Sequence, residues 1–189
     1  MRHFLSAMSL FFIFLVAPAL VVADDGGIDL SFYANYWDVD DGDDNVWGPG
    51  LGLAIPLYNN QVKGDVRISW FEDVGSDRFG DLALYPLDFG LSWHHCVDCT
   101  WNFSAMTGLS VVFADEDEKE GLEVDIDDEL GGYVGGGVNY KFDGPLKLFT
   151  NVYYRFVTLD ADVNTRGVDE STEFDADGLN LDIGLAYTF

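Results

Sequence analysis

Eight segments of the chain alternate apolar and polar residues with a period of two, each over roughly the length of a strand that crosses a bilayer. A helix repeats every 3.6 residues, so this spacing points to extended chain. The first segment runs from Gly27 to Trp37, with Ile28, Leu30, Phe32, Ala34 and Tyr36 set against Asp29, Ser31, Tyr33, Asn35 and Trp37. The pattern recurs from Trp47 to Leu57, from Val62 to Trp70, from Leu82 to Trp93, from Trp101 to Phe113, from Leu130 to Phe142, from Leu146 to Phe156 and from Leu179 to Phe189. In the fourth segment Leu82 and Leu84 lie on one parity and Leu87, Phe89, Leu91 and Trp93 on the other, which predicts a bulge near Tyr85-Pro86. Eight is an even number, as a closed bacterial barrel requires.

The gaps between segments alternate in length. Residues 38–46, 72–81, 114–129 and 159–178 are long gaps, and 58–61, 94–100 and 143–145 are short ones. Long loops at one end and tight turns at the other, with both termini on the tight-turn side, is the layout of an outer-membrane barrel. Charge follows the same division. The long gaps hold 26 of the 34 acidic residues, offset only by Arg78, Lys119 and Arg166. The formal charge of −25 excludes an electrostatic nucleic-acid binder. A hydrophobic content of 48% and an aromatic content of 15% exclude an acidic disordered chain, which is poor in both.

Within the segments the charges keep to the polar parity: Lys63, Arg67, Lys141, Lys147 and Arg155, with Asp29, Asp65, Asp88 and Asp182. Parity alone fits either a soluble sandwich or a barrel with charges inside and aliphatics towards lipid. The aromatic residues favour the barrel. Tyr36, Trp47, Trp70, Phe113 and Phe156 stand at the long-loop ends of the apolar rows, and Trp93, Trp101, Tyr140, Phe142, Tyr187 and Phe189 at the short-turn ends, as two interfacial girdles. No segment after the N-terminus is apolar for long enough to form a membrane helix.

Residues 1–23 read as a secretory signal. Arg2 and His3 precede an apolar run broken by Pro18, which ends in Val21-Val22-Ala23 before Asp24-Asp25. Residues 24–189 then form one barrel domain. The signal, the eight strands and the ending Leu185-Ala186-Tyr187-Thr188-Phe189 together resemble the small outer-membrane β-barrels of the OmpA, OmpX and OmpW type. The resemblance covers the whole chain after the signal. It implies an all-β, eight-stranded antiparallel transmembrane barrel of up-and-down order, monomeric and set in the lipid of the cell outer membrane. It also implies that Leu185, Tyr187 and Phe189 are read by the barrel assembly machinery. Such a fold does not by itself fix an activity.

Four groups of residues are candidates for chemistry. The short turn His94-His95-Cys96-Val97-Asp98-Cys99 supports a Cys96–Cys99 disulfide, which an oxidising periplasm favours; zinc held by the two Cys and two His; or a redox-active dithiol. Haem attachment is excluded because Thr100 follows the second Cys. Asp38, Asp40, Asp41, Asp43 and Asp44, and the acidic run over 115–129, offer oxygen ligands for Ca²⁺ or Mg²⁺, or are a solvated acidic surface. The nine charges at the polar parity form a lumen ion network, with Tyr33, Trp37, Phe71, Tyr133, Phe149 and Tyr153 filling the lumen as a plug. An enzyme working at the outer rim needs a base to activate a hydroxyl, and His94 and His95 fall at the other end. The expectation is therefore a non-enzymatic barrel without a cofactor, bar Ca²⁺ or Mg²⁺ on the outer loops. Its role is then in structure, surface interaction or cation binding; a narrow OmpW-like channel for small solutes is the alternative, and a lipid-acting enzyme the third reading.

Overall fold

In the computed structural model, residues 27–40, 45–58, 60–76, 80–116, 123–126, 128–165 and 168–189 are described. The proposed signal peptide lies outside them, as do Asp41, Asp43 and Asp44. The strands are β1 (Asp29–Val39), β2 (Val46–Tyr58), β3 (Val62–Ser69), β4 (Phe71–Ser76), β5 (Gly80–His94), β6 (Trp101–Glu116), β7 (Glu123–Ile126), β8 (Glu129–Lys141), β9 (Leu146–Phe156), β10 (Thr158–Thr165), β11 (Val168–Asp175) and β12 (Gly178–Thr188). Strands β3 and β4 form one stave interrupted at Trp70, so the main sheet has eight staves. Each pairs antiparallel with its neighbours in the chain's order of staves, and β12 returns to β1 from Asp29↔Thr188 to Val39↔Gly178. That last ladder closes the sheet and removes its edges.

Burial along the staves is inverted relative to a soluble protein. Arg155 and Asp182 are fully buried, whereas Phe32 is 63% and Phe103 59% exposed. No soluble protein would present so continuous an apolar band to water; in lipid the same band is the favourable surface. Aromatic pairs frame it at both ends. Tyr36 packs on Trp47 with ring centres 5.2 Å apart at the long-loop end, and Trp101 on Tyr140 at 4.9 Å at the short-turn end.

Large inward side chains fit because glycine faces them. A side chain at Gly50 would collide with the Tyr33 ring, and one at Gly90 with the Tyr133 hydroxyl. The glycines at the polar parity thus give their space to aromatic rings, which fill a lumen too narrow for large residues on every stave.

Two expectations are corrected. No bulge interrupts β5 near Tyr85-Pro86: its pairing with β6 runs in step from Leu82↔Glu116 to His94↔Ser104. The irregularity lies on β4, between Phe71 and Val74 opposite Leu84 and Leu82. The change of parity has another cause. Leu84 faces inward, into a buried cluster with Trp37, Val39, Val46, Phe71, Val74, Val112, Val157, Leu159 and Ala176. The lumen is apolar at the long-loop end, so there the inward parity itself reads as hydrophobic.

The second correction concerns the two longest gaps, which are not simply loops. They hold β7, β11 and all but the first residue of β10, which make a separate three-stranded sheet in the order β11-β10-β7. Strand β10 follows β9 after Val157, and β11 leads back to β12 through Ala176 and Asp177, so the β9–β12 pairing continues beyond the barrel as a hairpin.

Candidate functional site: the sealed lumen and the acidic outer sheet

The lumen is built in three levels. The apolar cluster forms the level at the long-loop end, and an ionic layer lies beneath it. Asp88 on β5 accepts two hydrogen bonds from Arg155 Nη2 on β9, at 3.1 and 3.0 Å, and lies 3.3 Å from Arg67 Nη2 on β3. Asp182 on β12 accepts from Arg67 Nη1 at 2.9 Å and from Asn35 Nδ2 at 2.5 Å. The guanidinium of Arg67 lies over the rings of Tyr133 and Tyr153, 4.8 and 4.5 Å from their centres, and that of Arg155 over Trp37 at 4.5 Å. Ring faces and carboxylates together replace the water these cations lose on burial.

Nearer the short turns, Asp29 accepts from Lys63 at 2.5 Å, from Lys147 at 2.8 Å and from the Thr188 hydroxyl at 2.6 Å. One carboxylate thus ties together β1, β3, β9 and β12. Beside it a cavity of about 80 Å³ is lined by Lys63, Asp65, Ser92, His94 and Asn151, among others, a polar space with room for a few waters. Asp65 hydrogen-bonds Ser92 and makes none of the close ion pairs. The Ser92 hydroxyl and His94 Nε2 are 3.1 Å apart.

Eight of the nine charges expected in the lumen line it. Lys141 does not join them: it sits exposed on the last rung of the β8–β9 hairpin, opposite Lys147. Parity alone could not reveal this, because Lys141 keeps the inward alternation but lies past the barrel mouth. Without it the lumen charges balance, with Lys63, Arg67, Lys147 and Arg155 against Asp29, Asp65, Asp88 and Asp182. The roles of Asn35, Asn151, Asn180 and Tyr153 as hydrogen-bond partners of this layer were missed in the sequence. Their inward parity was the available signal.

Cys96 and Cys99 are joined as a disulfide within the turn. His94 bonds to Ser92 and Asn102, and the His95 ring lies 5.8 Å from that of Trp93, so the two imidazoles have separate surroundings. Among the described residues, no three His, Cys, Asp or Glu stand together as a metal-ligand group.

At the other end, Asp38 and Asp40 are exposed, and Tyr154 donates its hydroxyl proton to Asp40 at 3.1 Å. Asp177, at the outer rim, accepts from the Val157 N–H at 2.5 Å. Desolvation pushes its carboxyl above the ordinary range; the Val157 bond opposes this, and the neighbouring charges of Asp175 and Asp40 add to it. Acidic crowding continues into the outer sheet. Its register sets Asp160 opposite Glu173 and Asp162 opposite Asp125. In the same register Glu123, Asp169 and Asp175 occupy positions of the same parity, that of Thr158. Among the described residues seven acidic positions share this parity and β7, β10 and β11 contain no Lys or Arg, and like charges directly opposite each other destabilise a sheet.

A closed meander with lipid-exposed aliphatics outside and paired charges inside defines a transmembrane β-barrel of the outer-membrane type, and the cell outer membrane is its place. Among solved structures the chain is similar to the outer membrane protein OprG from Pseudomonas aeruginosa. The TM-score is 0.73 at 14% identity, covering 87% of this chain and 96% of that one. It is also similar to the outer membrane protein AlkL, with a TM-score of 0.63 at 16% identity over 87% and 90% of the two chains. The Escherichia coli outer membrane protein W gives 0.58 at 15% identity over 89% and 100%. No protein-family model and no curated protein sequence matches the chain.

Proposed function

We propose that the chain is a non-enzymatic, non-conducting outer-membrane barrel whose acidic outer sheet is a divalent-cation-dependent surface element. The observation that carries this reading is the register of the outer sheet, which sets Asp160 opposite Glu173 and Asp162 opposite Asp125, with no Lys or Arg in β7, β10 or β11. Monovalent salt screens beyond a Debye length of roughly 8 Å, whereas residues directly opposite in a sheet have Cβ atoms about 5 Å apart. Screening therefore leaves the repulsion between Asp160 and Glu173, and between Asp162 and Asp125, largely in place. Ca²⁺ or Mg²⁺ binds carboxylate oxygens directly and would neutralise such pairs. The same ions would link the sheet to anionic lipid headgroups beside it, making outer-leaflet lipid the natural partner.

The outer sheet of the folded chain should resist protease better in millimolar Ca²⁺ than in NaCl of equal ionic strength, with cleavage between β10 and β11 slowed severalfold. Equal cleavage rates in the two salts would reduce the face to a solvated acidic surface.

The cavity beside Asp29 favours a narrow channel as the second reading. The Arg67, Arg155, Asp88 and Asp182 layer and the apolar cluster stand between that cavity and the outer end. Protein reconstituted in planar bilayers should therefore show no stable conductance steps; reproducible ohmic steps would favour the channel. A reaction at the outer rim would lack imidazole, since His94 and His95 belong to the opposite end, and this supports the non-enzymatic reading.

A further inference from the structure

The turn between β5 and β6 carries a disulfide that its own geometry does not require. Both flanks are anchored elsewhere. The His94 N–H donates to Gln61 O at 2.6 Å, the His95 N–H to Phe103 O at 2.9 Å and the Lys141 N–H to Thr100 O at 2.8 Å. The Asn102 side chain spans the turn, accepting from the Cys96 N–H at 3.2 Å and pairing with His94 Nδ1 at 3.1 Å. The bridge itself closes a loop of only four residues, so it constrains the unfolded chain less than a longer crosslink would. As a staple it adds little to a turn already held by the adjoining strands.

Its exposure points to a different role. Cys99 is exposed, Cys96 is half-buried, and the turn projects from the barrel end that faces the periplasm. Exposed disulfides are the ones open to exchange, because a thiolate can approach one sulfur along the S–S axis.

We infer that Cys96–Cys99 is a thiol–disulfide exchange site, taking periplasmic dithiols as its substrates. A thiolate of the dithiol attacks Cys99 Sγ, forming a mixed disulfide and releasing Cys96 as a thiolate, which takes a proton from water. The second thiol of the dithiol, once deprotonated, attacks its own sulfur in the mixed disulfide and frees Cys99 as a thiolate, which is protonated in turn. Two electrons pass to the barrel, the dithiol becomes a disulfide, and two cysteine thiols result. The reverse sequence oxidises the turn again. Asn102 and the backbone bonds keep the strand ends in register in both states, so exchange leaves the barrel intact.

The test uses the full chain folded in detergent micelles and treated with millimolar dithiothreitol, followed by tagging of free thiols with a maleimide polymer. Both cysteines should tag while the heat-modifiable folded band persists. Sulfurs that stay untagged until the barrel is denatured, or a folded band lost in step with tagging, would overturn the inference. The double variant Cys96→Ser with Cys99→Ser should give the folded yield of the parent chain; a marked drop would return the bridge to the role of a staple. Single variants identify the attacked sulfur. Cys99 in Cys96→Ser should react with the aromatic disulfide DTNB about tenfold faster than Cys96 in Cys99→Ser, as access dictates. Equal rates would remove the assignment of Cys99 as the entry point.

Discussion

Replacing Asp88 by Leu is expected to lower the stability of the folded barrel by about 3–5 kcal/mol, the usual effect of breaking a buried ion pair on one side. Asp88 is the carboxylate shared by Arg155 and Arg67, and Arg155 is completely buried. Without Asp88, Arg155 keeps only Asn180 Oδ1 at 3.3 Å and the rings of Trp37 and Tyr153, which cannot replace a carboxylate. Arg67 is less affected because Asp182 still holds its Nη1. The double variant Asp88→Leu with Arg155→Met should therefore be more stable than Asp88→Leu alone, since both charges are then gone and apolar groups of similar length remain. Urea unfolding in micelles of the parent, both single variants and the double variant gives the coupling energy directly. A single variant within about 1 kcal/mol of the parent, or a double variant no better than the worse single, would show that the layer is not held by this pairing.

Most of the barrel was legible because a lipid-facing strand repeats every second residue and so exposes its register in the sequence. The bounds of β9 are the first and last members of its apolar row and those of β2 lie one residue outside its row, whereas β1 and β6 run three residues past theirs at the long-loop end. Legibility failed where the inside of the barrel ceased to be polar. Leu84 departs from the outward apolar parity because the lumen around it is an apolar cluster shared with Phe71 and Val112. A reader of one strand sees only the reversal, and a bulge explains it equally well. The outer strands β10 and β11 were hidden for a different reason. Asp160, Asp162, Asp169 and Glu173 gave 159–178 the composition of a solvated loop, although Leu159, Ala161 and Val163 alternate with them as a strand would.

The functional residues were legible as a class and not as partners. Alternation placed Arg67, Asp88, Arg155 and Asp182 inside the lumen, and near neutrality there implied pairing. Which carboxylate meets which guanidinium depends on the stagger around the whole barrel. Arg67 and Asp88 are directly opposite in the β3–β5 ladder, but Arg155 reaches Asp88 across the lumen from β9. A pairing across the axis is a property of the closed cylinder and leaves no trace in the spacing of either strand.

Removing both rings at the end of β12, by Tyr187→Ala with Phe189→Ala, is expected to abolish most outer-membrane insertion while leaving folding in micelles nearly intact. The two rings lie 4.9 Å apart and are exposed on the lipid side at the inner girdle, so neither contributes to the packed lumen. The contacts that close the barrel at that end belong to other groups. Thr188 bonds to Asp29, the Phe189 N–H donates to Ile28 O at 3.0 Å, and the β1–β12 ladder is a backbone structure. Alanine at both positions keeps all of these. The rings do supply the interfacial anchor that aromatic side chains provide at a membrane boundary. With Leu185 they also form the alternating motif that resembles the signal read by the barrel assembly machinery. In cells the double variant should be exported and then collect in the periplasm, with the heat-modifiable band in outer membranes falling severalfold. Micelle refolding measured in parallel separates recognition from closure. If that refolding fails as well, the rings act by closing the barrel, and if outer-membrane levels stay normal, β12 carries no aromatic assembly signal.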